Sequence, residues 1–366
     1  MRPRKFLGAI LSVAVLLGAT APAADSAEKG GLDETGPYDV VPNWFKPGIV
    51  WDQPVGSVVV DTPNRIIIGN ADERTTRPNA WVIGPGGQYM PERSKMASKP
   101  DAEKSHLHMI MVLNQDGKAI EDWKQWDELI ATPHSLHISP YDKDRHVWLV
   151  DREGQQILKF TNDGKKLALR IGEKGVPGND KTHFNRPSAL TFMPDGSFYV
   201  ADGYTNTRIV KFDANGKYQF EWGKKGTGPG EFNLVHYVAV DAQKRVYVAD
   251  RSNNRIQIFD ENGKYLDQWP NIRGPVRLLI SQDQSLWLTS QTNRVAKFDL
   301  NGVLQTTWGV RGDWPGAMDN PHALAVDANG AIYIPDMWNN RIQKFVPRKD
   351  ADKSRLIQPE FVLKTP

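Results

Sequence analysis

Cysteine is absent from the sequence of 366 residues. The chain therefore has no disulfide scaffold, no thiolate nucleophile, no iron–sulfur cluster and no thiolate zinc site. Charge of one sign is scarce too, because 46 Lys and Arg residues stand against 43 Asp and Glu residues, a formal net charge of +3. So small an excess does not indicate binding to nucleic acid. Beyond residues 1–27 there is no long hydrophobic run, and the sequence predicts no membrane span.

Glycine, proline and tryptophan are plentiful instead, with 31, 25 and 12 residues. This composition favours many short strands joined by tight turns. Hydrophobic residues make up 39% of the chain, which is enough for a full core at this length.

Residues 1–27 have the organisation of a secretory signal peptide. Three of the first five residues are basic, residues 6–17 are mainly apolar, and Ala19-Thr20-Ala21 fits a cleavage site. The apolar run is too short to span a membrane comfortably. We therefore expect an exported protein, periplasmic or extracellular, and a buried N-terminal helix is the alternative.

A pattern of strand, turn and strand recurs six times after this segment. Each copy begins with proline or a substitute, continues in an apolar run, turns at Asp, Asn or Gly, and ends in a second apolar run. The copies are residues 54–70, 133–151, 187–202, 235–250, 275–290 and 321–336. A third strand such as NRIQIF and a fourth that often ends in Trp-Gly follow most copies. Four strands in a unit of about 40–50 residues predict an all-β, six-bladed β-propeller with four-stranded antiparallel blades.

The propeller is expected to span residues 38–346. Blade one is long because residues 84–107 form a polar insertion, and residues 347–366 form a C-terminal tail. Either residues 38–50 or the tail strand near residues 361–363 is expected to close the ring by pairing across its seam. A closed ring also favours a monomer.

Histidine follows the opening residue of the second, fourth and sixth copies only, as His134, His236 and His322. The other copies carry Val55, Ser188 and Val276 at that position. Alternate blades of a six-bladed ring are related by a pseudo-threefold axis, so we expect the three imidazoles to converge on the central channel. Three neutral imidazoles with one open position suit a catalytic metal, for which zinc is favoured and iron, cobalt or copper also fit. The alternative is a local packing habit with the rings facing water.

The loop after each second strand opens on the same rim as these histidines, because that strand runs antiparallel to the innermost one. Four of these loops carry Arg152, Tyr204, Arg251 and Trp338. Tyr204 is a candidate general base beside a bound cation. A structural tyrosine packed on the rim is the alternative.

The blade pattern resembles NHL repeats, and VYVADRSNNRIQIFDENGKYL is a close example. More specifically, the chain resembles the lyase domain of peptidylglycine α-amidating enzymes. The stretches that carry this resemblance are TPHSLHIS, FYVADGYTNTRIVKFDANGKYQFEWG, VADRSNNRIQIF and NPHALAVDANGAIYIPD.

The resemblance implies a zinc ion on His134, His236 and His322 and a catalytic role for Tyr204. The implied reaction, that of a peptidylamidoglycolate-type carbon–nitrogen lyase, cleaves a peptidyl-α-hydroxyglycine into a peptide amide and glyoxylate. Zinc would act on the hydroxyl oxygen as a Lewis acid, and Tyr204 would take the proton. No nucleotide or organic cofactor is implied.

Two features of the family have altered counterparts here. The arginine after the second strand of blade one corresponds to Arg74 or Arg77, which would pair with the substrate carboxylate. A structural calcium would use the backbone carbonyl groups of Val58 and Leu136, but the position of the calcium-binding aspartate is Ala323.

Other functions fit the same pattern. One is another metal-dependent propeller enzyme, such as a lactonase or a streptogramin-type lyase. Another is a non-catalytic NHL module that binds a peptide or envelope partner across the rim. For an enzyme, we expect a small-molecule or peptide substrate at the rim, with Arg152, Arg251 and Trp338 as substrate-binding residues.

Overall fold

A computed structural model describes most of the chain. The described residues are 33–49, 54–71, 81–83, 89–91 and 108–363. The expected signal peptide, residues 1–27, lies outside them, and so does the expected insertion, residues 84–107, apart from residues 89–91. In the described part of the chain, no helix has both the length and the apolar character needed to cross a membrane.

Six four-stranded antiparallel sheets form the blades of a propeller, as the sequence predicts. The first three blades consist of β2 (Val55–Thr62), β3 (Arg65–Asn70), β6 (Ile110–Leu113) and β7 (Ala119–Asp122); β8 (Pro133–Ile138), β9 (Val147–Asp151), β10 (Gln156–Phe160) and β11 (Leu167–Ile171); and β12 (Ala189–Phe192), β13 (Phe198–Asp202), β14 (Arg208–Phe212) and β15 (Tyr218–Trp222). Blades four to six consist of β18 (Val235–Val240), β19 (Val246–Asp250), β20 (Arg255–Phe259) and β21 (Tyr265–Trp269); β22 (Pro275–Ile280), β23 (Leu286–Ser290), β24 (Arg294–Phe298) and β25 (Leu304–Trp308); and β26 (Ala325–Val326), β27 (Ile332–Asp336), β28 (Arg341–Pro347) and β1 (Tyr38–Val40).

Two short two-stranded sheets and four 3-10 turns complete the described structure. In blade one, an antiparallel pair, β4 (Trp81–Ile83) and β5 (Tyr89–Pro91), is inserted between the second and third strands. Between blades three and four, β16 (Lys224–Lys225) runs parallel to β17 (Glu231–Phe232). The 3-10 turns are Lys124–Trp126, Arg251–Asn253, Met337–Asn339 and Lys353–Arg355.

Burial decreases from the innermost to the outermost strand of a blade. Every residue of β18, with the sequence VHYVAV, is buried, whereas the outermost strand β15, with the sequence YQFEW, alternates between half-buried and exposed. An inner strand is covered on both faces by neighbouring blades, so its sequence is an almost continuous apolar run. Aromatic rings fill the spaces between blades, as Trp148 of blade two does at 4.9 Å from Phe198 of blade three.

The N-terminal strand closes the ring. β1 pairs with β28 in antiparallel register, with Tyr38 opposite Pro347 and Val40 opposite Phe345, and becomes the outermost strand of blade six. The C-terminal tail has another position, because Phe361 donates its backbone N–H to Ile280 at the end of the innermost strand of blade five. Of the two segments considered from the sequence, it is therefore the N-terminal one that completes blade six.

A glycine before each of several outer strands lies against a tryptophan of the preceding blade. A Cβ atom added to any of these glycines would come within 2.7 Å of the indole ring. The pairs are Gly263 with Trp222, Gly302 with Trp269, and Gly36 with Trp308. Gly36, in the segment Asp33-Glu34-Thr35-Gly36, occupies for blade six the place that the DxNG turns occupy in blades four and five. The N-terminal segment is thus the missing end of the last repeat.

Buried aspartates hold the loops on the rim. Asp202, Asp250 and Asp336 end second strands, and each accepts a hydrogen bond of 2.8 or 2.9 Å from Nε of an arginine that begins the next strand. The same carboxylates accept backbone N–H groups from the segment that enters the blade. Tyr204 and Arg251 follow two of these aspartates closely, so this network fixes where their loops leave the sheet.

We expect Tyr38→Ala to lower the free energy of unfolding by about 3–5 kcal/mol, because it removes a buried aromatic side chain from the closing strand. Tyr38 is fully buried, its ring lies 5.9 Å from that of Trp308, and its hydroxyl accepts the N–H of Ile357 at 2.7 Å. Urea denaturation measures the effect. Leu304→Ala, on an exposed position of an outermost strand, is the control, and equal losses in the two variants would contradict the closing role of β1.

Candidate functional site

Three histidines reach the channel, two of them from bulges in innermost strands. The pairing of β8 with β9 passes over His134, and the pairing of β18 with β19 passes over His236. His322 lies at the equivalent place in blade six, next to the bridge between Pro321 and Asp336. The extra residue of a bulge has no partner in the ladder, and its side chain is redirected. Here the redirected side chains enter the channel.

The structure brings these three rings together. Their centroids lie 5.0 Å apart for His134 and His236, 4.7 Å for His134 and His322, and 5.2 Å for His236 and His322. One ring nitrogen of each lies within 4.8 Å of the others. All three residues are buried, with at most 7% of their surface exposed. The nearly equal separations agree with the threefold relation of alternate blades.

Each imidazole is oriented by a backbone carbonyl group of the next blade. The contacts are His134 Nδ1 to Ser188 at 2.6 Å, His236 Nδ1 to Val276 at 2.9 Å, and His322 Nδ1 to Gly56 at 2.7 Å. An Nδ1–H that donates to a carbonyl oxygen makes Nε2 the nitrogen for a metal, which is the usual arrangement around metal-binding histidines. The even-numbered blades thus supply the imidazoles, and the odd-numbered blades supply the carbonyl groups that orient them.

Alignment of the opening residues places Val55 at the position equivalent to the histidines. In the structure, however, the residue of blade one that accepts a hydrogen bond from His322 is Gly56. β2 pairs Val55 and Ser57 with β3 and passes over Gly56, so the bulge lies one residue further along the chain. A Cβ atom at Gly56 would stand 2.5 Å from the side chain of Ala71. Only glycine fits this close approach.

Burial keeps the imidazoles of His134 and His236 neutral. The pKa values of His134 and His236 lie well below the ordinary value, first because burial disfavours the charged ring. The positive charges of Arg152 and Arg251 act in the same direction on His134. A neutral imidazole is the form that binds a metal. Three convergent rings with oriented Nδ1–H groups therefore fit a divalent metal ion.

Tyr204 is the polar group closest to this cluster from the rim. Its hydroxyl lies 3.0 Å from Nε2 of His134 and 3.1 Å from Nε2 of His236. The preceding residue must be glycine, because a Cβ atom at Gly203 would stand 1.9 Å from the carbonyl oxygen of Val235. The glycine thus serves a close approach of the loop to β18, and this approach carries Tyr204 over the channel.

Arginines surround the Tyr204 ring. The guanidinium carbons of Arg152, Arg186 and Arg251 lie 4.8, 5.3 and 5.0 Å from its centroid. Arg251 also donates a hydrogen bond of 3.2 Å to the Tyr204 hydroxyl. Glu153 accepts from Arg152 and Arg186, so one carboxylate stands against three guanidinium groups. The mouth of the site is positively charged.

Arg186 is absent from the sequence-based set of site residues. It comes directly before Pro187, which opens the third repeat, and the innermost strand begins on the same rim as the loops that carry Arg152 and Tyr204. Its position before the opening proline was the available signal. It has a left-handed backbone, with φ of 62°.

The remaining predicted residues fall in three places. Arg74 and Arg77 lie outside the described residues. Trp338 belongs to the 3-10 turn that follows β27, at the equivalent place in blade six, and its backbone N–H donates to the carbonyl oxygen of Asp319. Val58 and Leu136 line the channel just below the histidines.

The channel at this lower level does not fit calcium. Val58, Leu136, Ala323 and Arg277 line a narrow space of about 10 Å³ together with the histidines. Calcium takes 6–8 oxygen ligands, usually including carboxylates. None of the described residues that line this space carries a carboxylate, and Arg277 brings a guanidinium group instead. The calcium considered from the family resemblance is thus not supported by the donors present.

Comparison with known proteins agrees with the architecture. A family model described as a 6-bladed beta-propeller matches residues 178–245, and one described as NHL repeat matches residues 232–259. The "Streptogramin B lyase structure" has a TM-score of 0.55 and 13% identity, and the match covers 85% of this chain and 98% of that one. At this identity the likeness concerns the fold alone.

Two curated relatives extend the comparison. The "Probable peptidyl-alpha-hydroxyglycine alpha-amidating lyase pgal-1" of Caenorhabditis elegans is 28% identical over 244 residues, which cover 64% of this chain and 68% of that protein. "NHL repeat-containing protein 3" of Mus musculus is 30% identical over 262 residues, which cover 66% of this chain and 74% of that protein. The repeats, the six-bladed ring and these relationships show that the chain belongs to the NHL-repeat family of six-bladed β-propellers.

Proposed function

We propose that the chain is a metal-dependent lyase that cleaves a carbinolamide of the peptidyl-α-hydroxyglycine type into an amide and glyoxylate. The observation that carries this proposal is the hydroxyl of Tyr204, which lies within hydrogen-bond distance of two of three buried, convergent imidazoles. Relatives named as amidating lyases support the same reaction class. The chain would act outside the cytoplasm, in the periplasm or the extracellular space, if residues 1–27 are a signal peptide.

His134, His236 and His322 would hold the metal, and zinc suits three neutral imidazoles best. A zinc ion in such a site supplies Lewis acidity, which stabilises negative charge that develops on oxygen. The carbonyl groups that accept from the three Nδ1–H groups keep the rings from turning away.

Tyr204 would act as the general base. The reaction needs the hydroxyl proton of the carbinolamide to leave, after which the electron pair of the O–H bond forms the carbonyl group of glyoxylate and the C–N bond breaks. The amide nitrogen then takes up the proton, so Tyr204 returns what it removed and no oxidant or reductant is consumed. The hydrogen bond from Arg251 stabilises the tyrosine oxygen when it carries negative charge.

The arginines would bind the carboxylate of the substrate. Arg251 reaches the Tyr204 hydroxyl from the rim, and Arg152 lies over the face of the same ring. A carboxylate at this mouth would meet planar donors that can form paired hydrogen bonds. Arg74 or Arg77 of blade one is proposed as a further partner, and Trp338 as an apolar wall.

We expect purified protein to contain about one zinc ion per chain, because three neutral imidazoles and their carbonyl partners form one preorganised site. Elemental analysis should find most of this zinc lost in His236→Ala and retained in the matched control His183→Ala, whose side chain lies in an exposed loop. Since the pKa values of His134 and His236 are lowered, zinc should remain bound as the pH falls to about 6.5 and leave only at lower pH. Equal zinc contents in the two variants would contradict the site.

We expect Tyr204→Phe to lower kcat for glyoxylate release from α-hydroxyhippurate by about 100-fold or more, as the loss of a general base does. Its zinc content should not change, because the tyrosine is not one of the three ligands. Tyr218→Phe, on an outermost strand of the same blade, is the matched control. A wild-type rate in Tyr204→Phe would refute the general-base role.

The same assays separate the other candidate functions. A protein that holds zinc but releases no glyoxylate would favour another propeller enzyme, a lactonase or a streptogramin-type lyase. A protein that holds no zinc would favour a non-catalytic NHL interaction module, and partner binding would then survive His236→Ala.

A further inference from the structure

A buried arginine occupies the central channel below the histidines. Arg277 lies on the innermost strand of blade five and has only 9% of its surface exposed. Its guanidinium group lies 4.3 Å from the centroid of the Tyr237 ring. A buried charge is costly unless its hydrogen-bonding groups are satisfied. The partners of Arg277 therefore indicate what it does.

This guanidinium group donates hydrogen bonds to three residues, one in blade five, one in blade six and one in the C-terminal tail. Its Nη1 donates to the carbonyl oxygen of Leu278 at 2.6 Å, and its Nε to that of Leu324 at 3.4 Å. Its Nη2 pairs with a carboxylate oxygen of Glu360 in the C-terminal tail at 3.2 Å. One side chain thus joins blade five, blade six and the tail across the channel.

The carbonyl groups bound by Arg277 form one layer with those considered for calcium. Val58 and Leu136 stand two residues beyond Gly56 and His134. Leu278 and Leu324 stand two residues beyond Val276 and His322, which hold the equivalent place in the repeats of blades five and six. Innermost strands have one edge without a neighbouring strand, so carbonyl groups there need a donor or a cation. In this layer the guanidinium supplies five N–H donors in a fixed fork.

The charge of the layer is balanced without a metal. A divalent cation with one carboxylate would carry a net charge of about +1. Here Ala323 supplies no carboxylate, and the single positive charge of Arg277 is paired with the carboxylate of Glu360 from the tail. We propose that Arg277 is the built-in cation of the lower channel, that it takes the place of a calcium ion, and that the lower channel binds no calcium.

The tail completes this arrangement from below. Gln282 donates its backbone N–H to the carbonyl oxygen of Pro359, and Leu363 donates its backbone N–H to the hydroxyl of Tyr141 in blade two. The tail then lines a cavity of about 300 Å³ that Arg277 also borders. Glu360 is half-exposed, so it is a counter-ion at the edge of the cavity, and the backbone bonds of the tail hold it there.

Equilibrium dialysis of the wild-type protein against ⁴⁵Ca²⁺ at about 1 mM, within the range of weak calcium sites, is the first test. We expect no bound calcium and no change of the thermal midpoint when calcium chloride is added. Calcium bound in a one-to-one ratio would overturn the proposal. Neither measurement uses lyase activity, so its outcome is independent of the proposed function.

Arg277→Met is the second test. Breaking a buried, hydrogen-bonded charge should lower the thermal midpoint by about 5 °C or more. Arg273→Met, at an exposed position four residues earlier, is the matched control and should leave the midpoint nearly unchanged. A wild-type midpoint in Arg277→Met would overturn the proposal.

Two more variants keep the test decisive if the methionine variant does not fold. Arg277→Lys keeps the charge but not the fork, and it should melt below the wild type and remain insensitive to calcium. The double variant Arg277→Ser, Ala323→Asp removes the guanidinium group from the layer and introduces a carboxylate at the position of the family's aspartate. Its thermal midpoint should rise on addition of calcium. Calcium uptake by the lysine variant, or none by the double variant, would contradict the assignment.

Discussion

Closing a ring of sheets leaves the inner edge of each innermost strand without a strand to pair with, and the groups inside the channel must supply hydrogen-bond partners for it. Imidazole N–H groups do so near the rim, where histidines of the even blades donate to carbonyl groups of the odd blades. One layer deeper, Arg277 does so for Leu278 and Leu324. The side chains that stabilise the channel are therefore imidazole and guanidinium groups, which can also bind ligands.

This constraint explains why the histidine rings are held rigidly and why charged side chains lie at the rim of the site. The histidine rings cannot turn without breaking hydrogen bonds to the backbone of other blades, so one nitrogen of each ring is kept close to those of the other two. Burial lowers the pKa values of His134 and His236 and so keeps these two rings in the neutral form, which is the form that can bind a metal. The arginines around Tyr204 add positive charge where the channel opens, which favours an anionic group at the rim.

The rim is built on the repeat but differs from blade to blade. The buried aspartates that end second strands anchor equivalent loops in the same way. The residues that follow them differ, with Arg251 after Asp250 and Gly203-Tyr204 after Asp202. Arginine follows the aspartate in two blades, as Arg152 and Arg251, whereas the tyrosine occurs in blade three alone among these loops, so a repeated scaffold carries different side chains at equivalent places.

The amino-acid pattern was sufficient for the six blades, for the alternation of His134, His236 and His322, and for the rim position of Tyr204, because period and register repeat along the chain. It did not distinguish Gly56 from Val55, since the position of a bulge depends on how two strands pair. The segment Asp33–Gly36 resembles the turns before other outermost strands and so indicates that the N-terminal strand closes the ring. Only the packing of Gly36 on Trp308 in the structure establishes that this turn is the equivalent one. The sequence does not indicate the role of Arg277, because two of its partners lie in another blade and in the tail, 47 and 83 residues away in sequence. Only the closed ring brings these partners together.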